Sequence, residues 1–288
     1  MNLRSKISTV LNRTILGDLI VRAAERHYGF RYPHAMIGRR NMPLAQTAKA
    51  GVLVVAAHQD DEALGVGGVL AWHRSRGDRV VVVHTTNGAG GGWRDGIRDG
   101  GAMSAVRFAE ACAALGVIGI PAEDVVCLGF PDGGLHRYLR QASRDITQLL
   151  QELMPDVVYV HALEGGHSDH DMTSYVVQIA CSRLGIRAVF EWCEYNRDCP
   201  LGRSVGAARF STDPYVRSFN LSTLGVSTTD LQKKKWMTEK YISQAGIIKQ
   251  YPFADESVRA GSATFLWRRL KFFTGFSLIR LLGLTWRL

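Results

Sequence analysis

The chain has 288 residues, 46% of them hydrophobic and 21% charged, a composition that excludes a disordered or wholly membrane-embedded protein. This length suffices for one large globular domain or two small ones. The formal net charge of +9 is compatible with polyanionic partners such as nucleic acid, anionic lipid or acidic glycans; of these we expect no nucleic acid.

The five cysteines are an odd number and include no Cys-x-x-Cys pair. This usage favours reduced thiols and a cytoplasmic location over a disulfide framework or a cysteine-rich metal site.

The N-terminal thirty residues are basic and partly apolar. Asp18 and Arg22 interrupt the apolar stretch, which argues against a signal peptide and against a membrane span. Apolar side chains recur at helical spacing from Ile15 to Ala23. We therefore expect residues 1–49 to form a helical N-terminal extension.

The middle of the chain alternates between strand-like and helix-like patterns. Five apolar, β-branched runs predict strands at 51–57, 79–85, 123–130, 156–162 and 187–192. Helical patterns fall between them, at 62–76, 102–116, about 137–153 and about 171–184. This alternation predicts a Rossmann-like, three-layer α/β/α domain with a mostly parallel sheet, over residues 50–250.

One more helix is expected at 225–245, with Thr228 or Thr229 as its N-cap. No internal repeat and no obvious interdomain linker interrupts the domain.

The C-terminal segment, 251–288, is basic and amphipathic. No acidic residue follows Glu256, whereas six basic residues do, interleaved with aromatic and aliphatic side chains. The segment is too charged and too short to span a bilayer, but its composition is typical of a helix in a membrane interface. Packing on the domain with the arginines in water explains the pattern equally well. Peripheral contact with an anionic membrane is thus one of two expectations for this segment.

Two clusters of histidines and carboxylates follow the first and the fourth predicted strands, AHQDDE (57–62) and HSDHD (167–171). In a doubly wound sheet of order 3-2-1-4-5, the strand order reverses between strands 1 and 4. Ligands bind beyond the carboxyl ends of the strands at that point. The sequence therefore predicts that both clusters line one crevice and form a metal centre at the carboxyl ends of the strands.

The residue types favour zinc. A catalytic zinc ion takes three imidazole or carboxylate ligands and keeps one position open for water. His58 and Asp61 lie three residues apart across a strand-to-helix turn, and a histidine of the second cluster completes the set. Asp60 is not needed as a ligand and can accept a proton. Taken singly, each residue also fits a surface histidine or an acidic helix N-terminus, but the two clusters together do not.

Several motifs resemble those of the LmbE/PIG-L family of zinc-dependent de-N-acetylases. AHQDDEALGVGG (57–68) is similar to the family signature A-H-P-D-D-E, and EGGHSDHD (164–171) is similar to its H-P-D-H motif. Further similarity, over residues 51–245 in all, lies in TTNGAGGG (85–92), RFAEACAALGV (107–117), LGFPDGGL (128–135) and KKKWMTEKYISQ (233–244).

The resemblance implies a zinc ion bound by His58, Asp61 and His170, with Asp60 as the general base. It also implies the reaction: removal of the acetyl group from an N-acetylglucosamine-type sugar in a glycoconjugate or glycolipid, which releases acetate and a free amine. The substrate partner is then an N-acetylated sugar.

The remaining implied roles concern the amide and the sugar. His167 matches the histidine that polarises the amide oxygen, and Asp169 matches the residue that orients it. Arg107 and Asp132 match positions that hold the sugar. In the glycine-rich segment 90–103, Trp93 offers a face on which a sugar can stack, although a plain flexible connection explains this segment nearly as well.

Gln59 and Ser168 stand where the family motifs have proline, and we expect altered loop stiffness there rather than lost chemistry. Two other classes of protein are compatible with parts of the pattern. One is a catalytically silent carbohydrate- or lipid-binding module, against which the intact histidine and aspartate set argues. The other is a nucleotide-binding enzyme with GVGG (65–68) as its phosphate loop, but its glycine spacing is wrong for dinucleotides.

Overall fold

The computed structural model describes residues 51–93, 100–194, 221–224, 226–251 and 256–260, with Leu19, Asn196, Asp198 and Phe210 as single residues. The predicted N-terminal extension lies outside the described residues apart from Leu19. Residues 261–288 of the basic C-terminal segment lie outside them as well.

Five parallel strands form the centre of the sheet. They are β1 (Val52–Ala56), β2 (Val80–Thr86), β3 (Val125–Phe130), β4 (Val157–His161) and β5 (Val189–Trp192), in the order β3-β2-β1-β4-β5. All residues of β1, β2 and β3 are buried, as expected for strands covered by helices on both faces. The predicted strand order is confirmed, and it reverses between β1 and β4.

Two antiparallel strands extend the sheet beyond β5: β7 (Glu256–Ala260) pairs with β5, and β6 (Leu221–Leu224) pairs with β7. Residues 256–260, which lie beyond the predicted boundary at residue 250, thus belong to the same sheet. Arg259 is 1% exposed and pairs with Glu191 at 2.6 Å and with Glu164 at 3.2 Å. A count of charges along the sequence does not distinguish such a buried, paired arginine from a solvated one.

Helices cover both faces of the sheet. They are α1 (Asp61–Ser75), α2 (Gly100–Gly116), α3 (Leu139–Leu153), α4 (Ser168–Leu184), α5 (Thr228–Thr238) and α6 (Ala245–Ile248). The four helices predicted between the strands are confirmed. The single helix predicted at 225–245 is wrong in extent, since α5 ends at Thr238. Its N-cap is Ser227, whose hydroxyl accepts a hydrogen bond from the Asp230 amide.

The apolar core lies in two layers, one on each side of the sheet. Alternate residues of β1 point to opposite sides, so that Leu53 and Val55 belong to one layer and Val52 and Val54 to the other. Among the described residues, no helix is long and apolar enough to cross a membrane.

Helix α1 is kinked within GVGG (65–68), and a carboxylate binds amides next to the kink. Val66 has a non-helical backbone, with φ −138°, and the Glu256 carboxylate accepts hydrogen bonds from the amides of Gly68 and Val69, both at 2.8 Å. The Lys234 ammonium lies 2.7 Å from the same carboxylate. These amides are therefore occupied by a side-chain anion of the protein, which argues against the phosphate-loop interpretation.

Candidate metal centre

The loop between β1 and α1 delivers the first polar cluster to the crevice. Asp60 is the N-cap residue of α1 and has φ 140°, a backbone conformation that is costly for a residue with a side chain. The Arg107 guanidinium holds this conformation by donating to the Gln59 carbonyl at 2.8 Å and to Asp60 Oδ1 at 2.9 Å. Burial raises the pKa of Asp60 to about 7, although Arg107 acts in the opposite direction.

Asp61 Oδ2 lies at the meeting point of both clusters. It accepts a hydrogen bond from the His58 amide at 2.7 Å and lies 3.2 Å from His58 Nδ1. His170 Nε2, at the start of α4, is 3.4 Å away, and His161 Nε2, at the end of β4, is 3.2 Å away. Three histidines, one from the β1–α1 loop and two from either side of the β4–α4 connection, thus surround one buried carboxylate oxygen.

These separations fit a zinc ion. Ligand atoms about 2.0–2.1 Å from a tetrahedral centre lie roughly 3.3–3.4 Å from one another, which matches the distances from Asp61 Oδ2 to His58 and His170. The other ring nitrogen of His58, Nε2, is buried without a hydrogen bond to any described residue and faces the carboxylates of Asp132 and Asp169 rather than Asp61. The donor set, imidazole plus carboxylate, is also the set that zinc prefers.

Within the described residues, three groups of donors have all their ligand atoms within 4.8 Å of one another. They are His58 with His167 and His170, Asp61 with His161 and His170, and His58 with Asp132 and Asp169. The predicted set, His58 with Asp61 and His170, is not itself one of these compact groups, although each member belongs to at least one. The structure therefore brings the predicted ligands together pairwise and adds His161 beside them.

His167 is the N-cap of α4, and its Nδ1 accepts a hydrogen bond from the Asp169 amide at 3.2 Å. The neutral ring therefore carries its proton on Nε2. Burial, and next the charges of His58 and His170, lower the pKa of His167 to about 4, which keeps the ring neutral at pH 7. His167 also lines the open cleft.

Asp169 makes two kinds of contact in the site, and its predicted role in orienting His167 stays a prediction. Its backbone amide donates to His167 Nδ1, whereas its carboxylate accepts hydrogen bonds from the amides of Gly133 at 2.6 Å and Leu135 at 3.2 Å. The same carboxylate lies 3.4 Å from His58 Nε2. Because the sequence shows only that the two residues are neighbours, it does not distinguish an amide contact from a carboxylate contact.

Asp132, which follows β3, contacts His58 of the candidate metal cluster. Its Oδ1 lies 3.3 Å from His58 Nε2 and its Oδ2 accepts a hydrogen bond from the Gly90 amide at 2.9 Å. Burial lowers the pKa of His58, but the charges of Asp132 and Asp61 outweigh it, and the pKa lies well above the usual value.

Arg107 reaches the cleft from α2, but its guanidinium is engaged by the protein. Besides the bonds to Gln59 and Asp60, it donates to the Gly88 carbonyl at 3.2 Å. Gly88 has φ +66°, and a Cβ there would lie 2.2 Å from Gln59 Oε1. The predicted contact of Arg107 with a sugar stays a prediction, and the structure adds a positioning contact with Asp60.

The structure describes the side chain of Gln59 but not that of Trp93. Gln59, in place of the family's proline, is fully buried and donates from Nε2 to the Thr86 carbonyl at 3.0 Å, which ties the β1–α1 loop to β2. Trp93 ends the short 3-10 helix Ala89–Trp93, but its side chain lies outside the described residues, so the stacking contact stays a prediction.

Several buried polar residues behind the site were missed. His84 Nε2 lies 2.9 Å from Glu62 Oε2, and the Tyr241 hydroxyl donates to Glu62 Oε1. His161 and Glu194 lie 3.4 Å apart beside Asp61. Their position in the sequence could have indicated this, because His161 and Glu194 stand at the carboxyl ends of β4 and β5, the edge of the sheet where the site was expected.

An open cleft leads to the cluster, with about 570 Å³ of empty space that includes part of the surrounding solvent. Its lining includes the polar residues His58, Asp60, Asp61, Arg107, Asp132, His167, Glu194 and Gln244 and the apolar or aromatic residues Leu64, Ile247 and Tyr251. The lining therefore offers both polar and apolar contacts to a bound molecule.

Known proteins are similar to this chain in sequence. It is 29% identical over 201 residues to the 1D-myo-inositol 2-acetamido-2-deoxy-alpha-D-glucopyranoside deacetylase of Mycobacterium leprae, covering 61% of this chain and 60% of that protein. It is 32% identical over 195 residues to the deacetylase of the same name from Mycobacterium sp. (strain KMS), covering 58% of this chain and 61% of the relative. The chain thus spans about 60% of the length of these relatives.

A solved structure shares the fold. The deacetylase–teicoplanin complex from the teicoplanin biosynthesis pathway superposes with a TM-score of 0.58 at 17% identity, over 73% of this chain and 97% of that one. At this identity the likeness concerns the fold alone. The family model described as PIG-L, GlcNAc-PI de-N-acetylase, matches residues 53–181, which hold both histidine motifs. These residues form a domain of the PIG-L (LmbE) family.

Proposed function

We propose that this chain is a zinc-dependent hydrolase that removes the acetyl group from an N-acetylglucosamine-type sugar in a glycoconjugate or glycolipid. The products are acetate and a free amine. The family match and the names of the curated relatives support a deacetylase. The fit of the donor atoms to a tetrahedral ion supports zinc.

One observation carries the proposal. The β1–α1 loop and the β4–α4 loop meet across the point where the strand order reverses, and Asp61 Oδ2 lies 3.2 Å from His58 Nδ1 and 3.4 Å from His170 Nε2. A buried cluster of imidazoles and carboxylates at the floor of an open cleft suits a bound cation that substrate must reach.

His58, Asp61 and His170 would hold the zinc ion. When bound there, zinc supplies a Lewis acid that activates water and polarises an amide carbonyl. Asp60 lies next to this set and lines the cleft. With Oδ1 engaged by Arg107 at 2.9 Å, Asp60 accepts the proton of the attacking water through its other oxygen.

His167 stabilises the negative charge that develops on the amide oxygen. Because its Nδ1 accepts from the Asp169 amide, its Nε2–H is free of that bond and is the donor that an oxyanion requires. The leaving amine needs a proton as the tetrahedral intermediate collapses. Asp60, which has taken a proton from the water, can pass it on, whereas His167, neutral at pH 7, can act as the donor only after it has gained a proton. Asp132 and Arg107, also in the cleft lining, are proposed to bind the sugar, and Trp93 to stack on it.

Metal content and acetate release test the proposal together. Purified protein should hold about one zinc ion per chain, and a panel of N-acetylglucosaminyl conjugates should include one from which it releases acetate. A chelator should abolish the release and added zinc should restore it.

His170→Ala should lose both metal and turnover, with His73→Ala as the control, because His73 is a buried histidine paired with Asp78 away from the cleft. Full zinc retention in His170→Ala would contradict the ligand set. Sugar binding with no acetate release from any conjugate would instead favour a silent binding module.

A further inference from the structure

His161 is not itself part of the cleft lining and lies behind two residues that are, Asp61 and Glu194. It is the last residue of β4 and is 1% exposed. One face of its ring stacks on His170, with centroids 3.9 Å apart and planes 18° apart. Trp192 packs against the ring as well, at 4.5 Å. The ring is therefore a fixed surface against which one of the proposed ligands rests.

The two nitrogens of His161 have different partners. The Ala57 amide donates to Nε2 at 3.0 Å, so Nε2 carries the lone pair and the proton of the neutral ring is on Nδ1. Nδ1 faces Glu194 Oε1 at 3.4 Å. Since the Ala57 amide already uses the lone pair, Nε2 is not placed to bind an ion as well.

The lone pair of His161 nevertheless lies next to the proposed ligands. Asp61 Oδ2 is 3.2 Å from Nε2, and both atoms are electron-rich. Their approach is costly in a buried site unless positive charge lies nearby, which is the situation beside a bound cation.

Glu194 anchors the far side of the ring. Its Oε1 accepts a hydrogen bond from Trp192 Nε1 at 2.8 Å, and its Oε2 accepts one from the Tyr251 hydroxyl at 3.3 Å. Trp192 thus touches both the ring and the carboxylate that faces it. The side chains of residues 192, 194 and 251 lie beyond the 53–181 match to the family model.

We propose that Glu194 and His161 are positioning residues, a second layer that fixes the Asp61 carboxylate and the plane of the His170 ring for metal binding. This inference rests on the proposed function, because it requires that Asp61 and His170 bind the ion. Groups that orient metal ligands in this way typically contribute about 10- to 100-fold to metal affinity or activity.

The test measures zinc affinity by competition with a chelator at 25 °C, and the absorption spectrum of the cobalt-substituted protein, for wild type, His161→Gln and Glu194→Gln. His73→Gln is the matched control, since His73 is a buried histidine whose Nδ1 lies 2.8 Å from the Asp78 carboxylate. Thermal unfolding of each variant shows that the affinities are compared between folded proteins.

We expect zinc affinity to fall roughly 10- to 100-fold in His161→Gln, with the cobalt absorption bands unmoved because the ligands are unchanged. The Glu194→Gln variant should also bind zinc more weakly, and the control should bind like wild type. In the double variant with both substitutions, zinc affinity should fall by less than the product of the two single fold-changes, because both residues act through the same contact.

If His161→Gln binds zinc as tightly as wild type, the inference is overturned. It is also overturned if the cobalt spectrum of His161→Gln changes as it does in the ligand variant His58→Ala, since that change would make His161 a ligand. If His161→Gln does not fold, Glu194→Gln decides, and wild-type affinity there overturns it. A wild-type protein that binds no zinc contradicts the proposed function itself, whereas unchanged affinity in the variants leaves that function standing.

Discussion

Two adjacent carboxylates, Asp60 and Asp61, have opposite electrostatic surroundings. Burial raises the pKa of Asp60 to about 7 against the effect of Arg107. Asp61 is buried too, but the charges of His170 and His58 outweigh the burial and hold its pKa well below the usual value. A carboxylate that stays ionised suits a ligand, and one that gains a proton readily suits an acid–base group.

Exchange of each carboxylate for an amide should separate the two roles. Asp61→Asn should lose zinc and activity together, because an anionic ligand is gone. Asp60→Asn should keep its zinc and lose its proton acceptor, with kcat lower by about a hundred- to ten-thousand-fold. Zinc content and kcat of both variants check this. If Asp60→Asn loses its metal while Asp61→Asn keeps it, the two assignments are reversed.

Helix α1 packs closely against the sheet at Gly65. A Cβ at Gly65 would lie 2.1 Å from Trp192 Cδ1, and Trp192 itself packs on His161. The glycine therefore lets α1 approach β5 closely, and its effect extends to the residues behind the site.

Gly65→Ala should destabilise the protein by about 1–3 kcal/mol, the usual cost of overpacking a core, and should also weaken zinc binding through the displaced Trp192. Gly116→Ala, where a Cβ would meet nothing within 4 Å, is the matched control and should be neutral or slightly stabilising. Urea unfolding followed by circular dichroism measures both. Equal stability of the two variants would show that Trp192 yields at little cost.

The start of α5 depends on a single hydroxyl. Ser227→Ala should cost about 1 kcal/mol of stability, because the Asp230 amide loses its hydrogen-bond acceptor. Thr229 is the second residue of the same helix and is exposed. Thr229→Ala should therefore change the free energy of unfolding by about a few tenths of a kcal/mol at most. If Thr229→Ala lowers the free energy of unfolding as much as Ser227→Ala does, the N-cap would be one of the two threonines predicted from the sequence.

For the molecule as a whole, β7 connects distant parts of the chain. Glu256 binds the amides at the kink of α1, and Arg259 forms ion pairs with the buried Glu191 and Glu164. A chain that ends before β7 leaves Lys234 without Glu256 and the two buried carboxylates without their cation, and removal of one partner of a buried ion pair is strongly destabilising.

Removal of residues 252–288 should therefore give insoluble or strongly destabilised protein. Removal of residues 261–288 should not, because it leaves Glu256 and Arg259 in the chain with their ion-pair partners. Expression, solubility and thermal unfolding of the two truncated chains compare them. Equal stability of the two would show that β7 contributes little to folding.

The shorter truncation also tests the predicted membrane contact of the C-terminal segment. If residues 261–288 bind an anionic surface, their removal should reduce co-sedimentation with phosphatidylserine vesicles and leave turnover of a short soluble substrate nearly unchanged. Unaltered vesicle binding, or loss of solubility on truncation, would contradict that contact.

The sequence by itself determined the features that depend on local pattern. Alternating apolar periods predicted the five parallel strands and the helices between them, because each period follows directly from backbone geometry. The positions of AHQDDE (57–62) and HSDHD (167–171) after strands 1 and 4 then predicted where the two clusters meet, since strand order sets which loops are neighbours.

Only the tertiary structure decided the features that depend on pairing between distant residues. Arg259 reads as one more basic residue of the C-terminal segment until β7 places it between Glu191 and Glu164. His161 and Glu194 are 33 positions apart in the numbering. Their positions at strand ends place them at the edge where the site lies, but no sequence pattern shows that they contact each other or Asp61. A charge or a lone pair acquires its role from the groups within a few ångströms of it, and that distance is set by the fold.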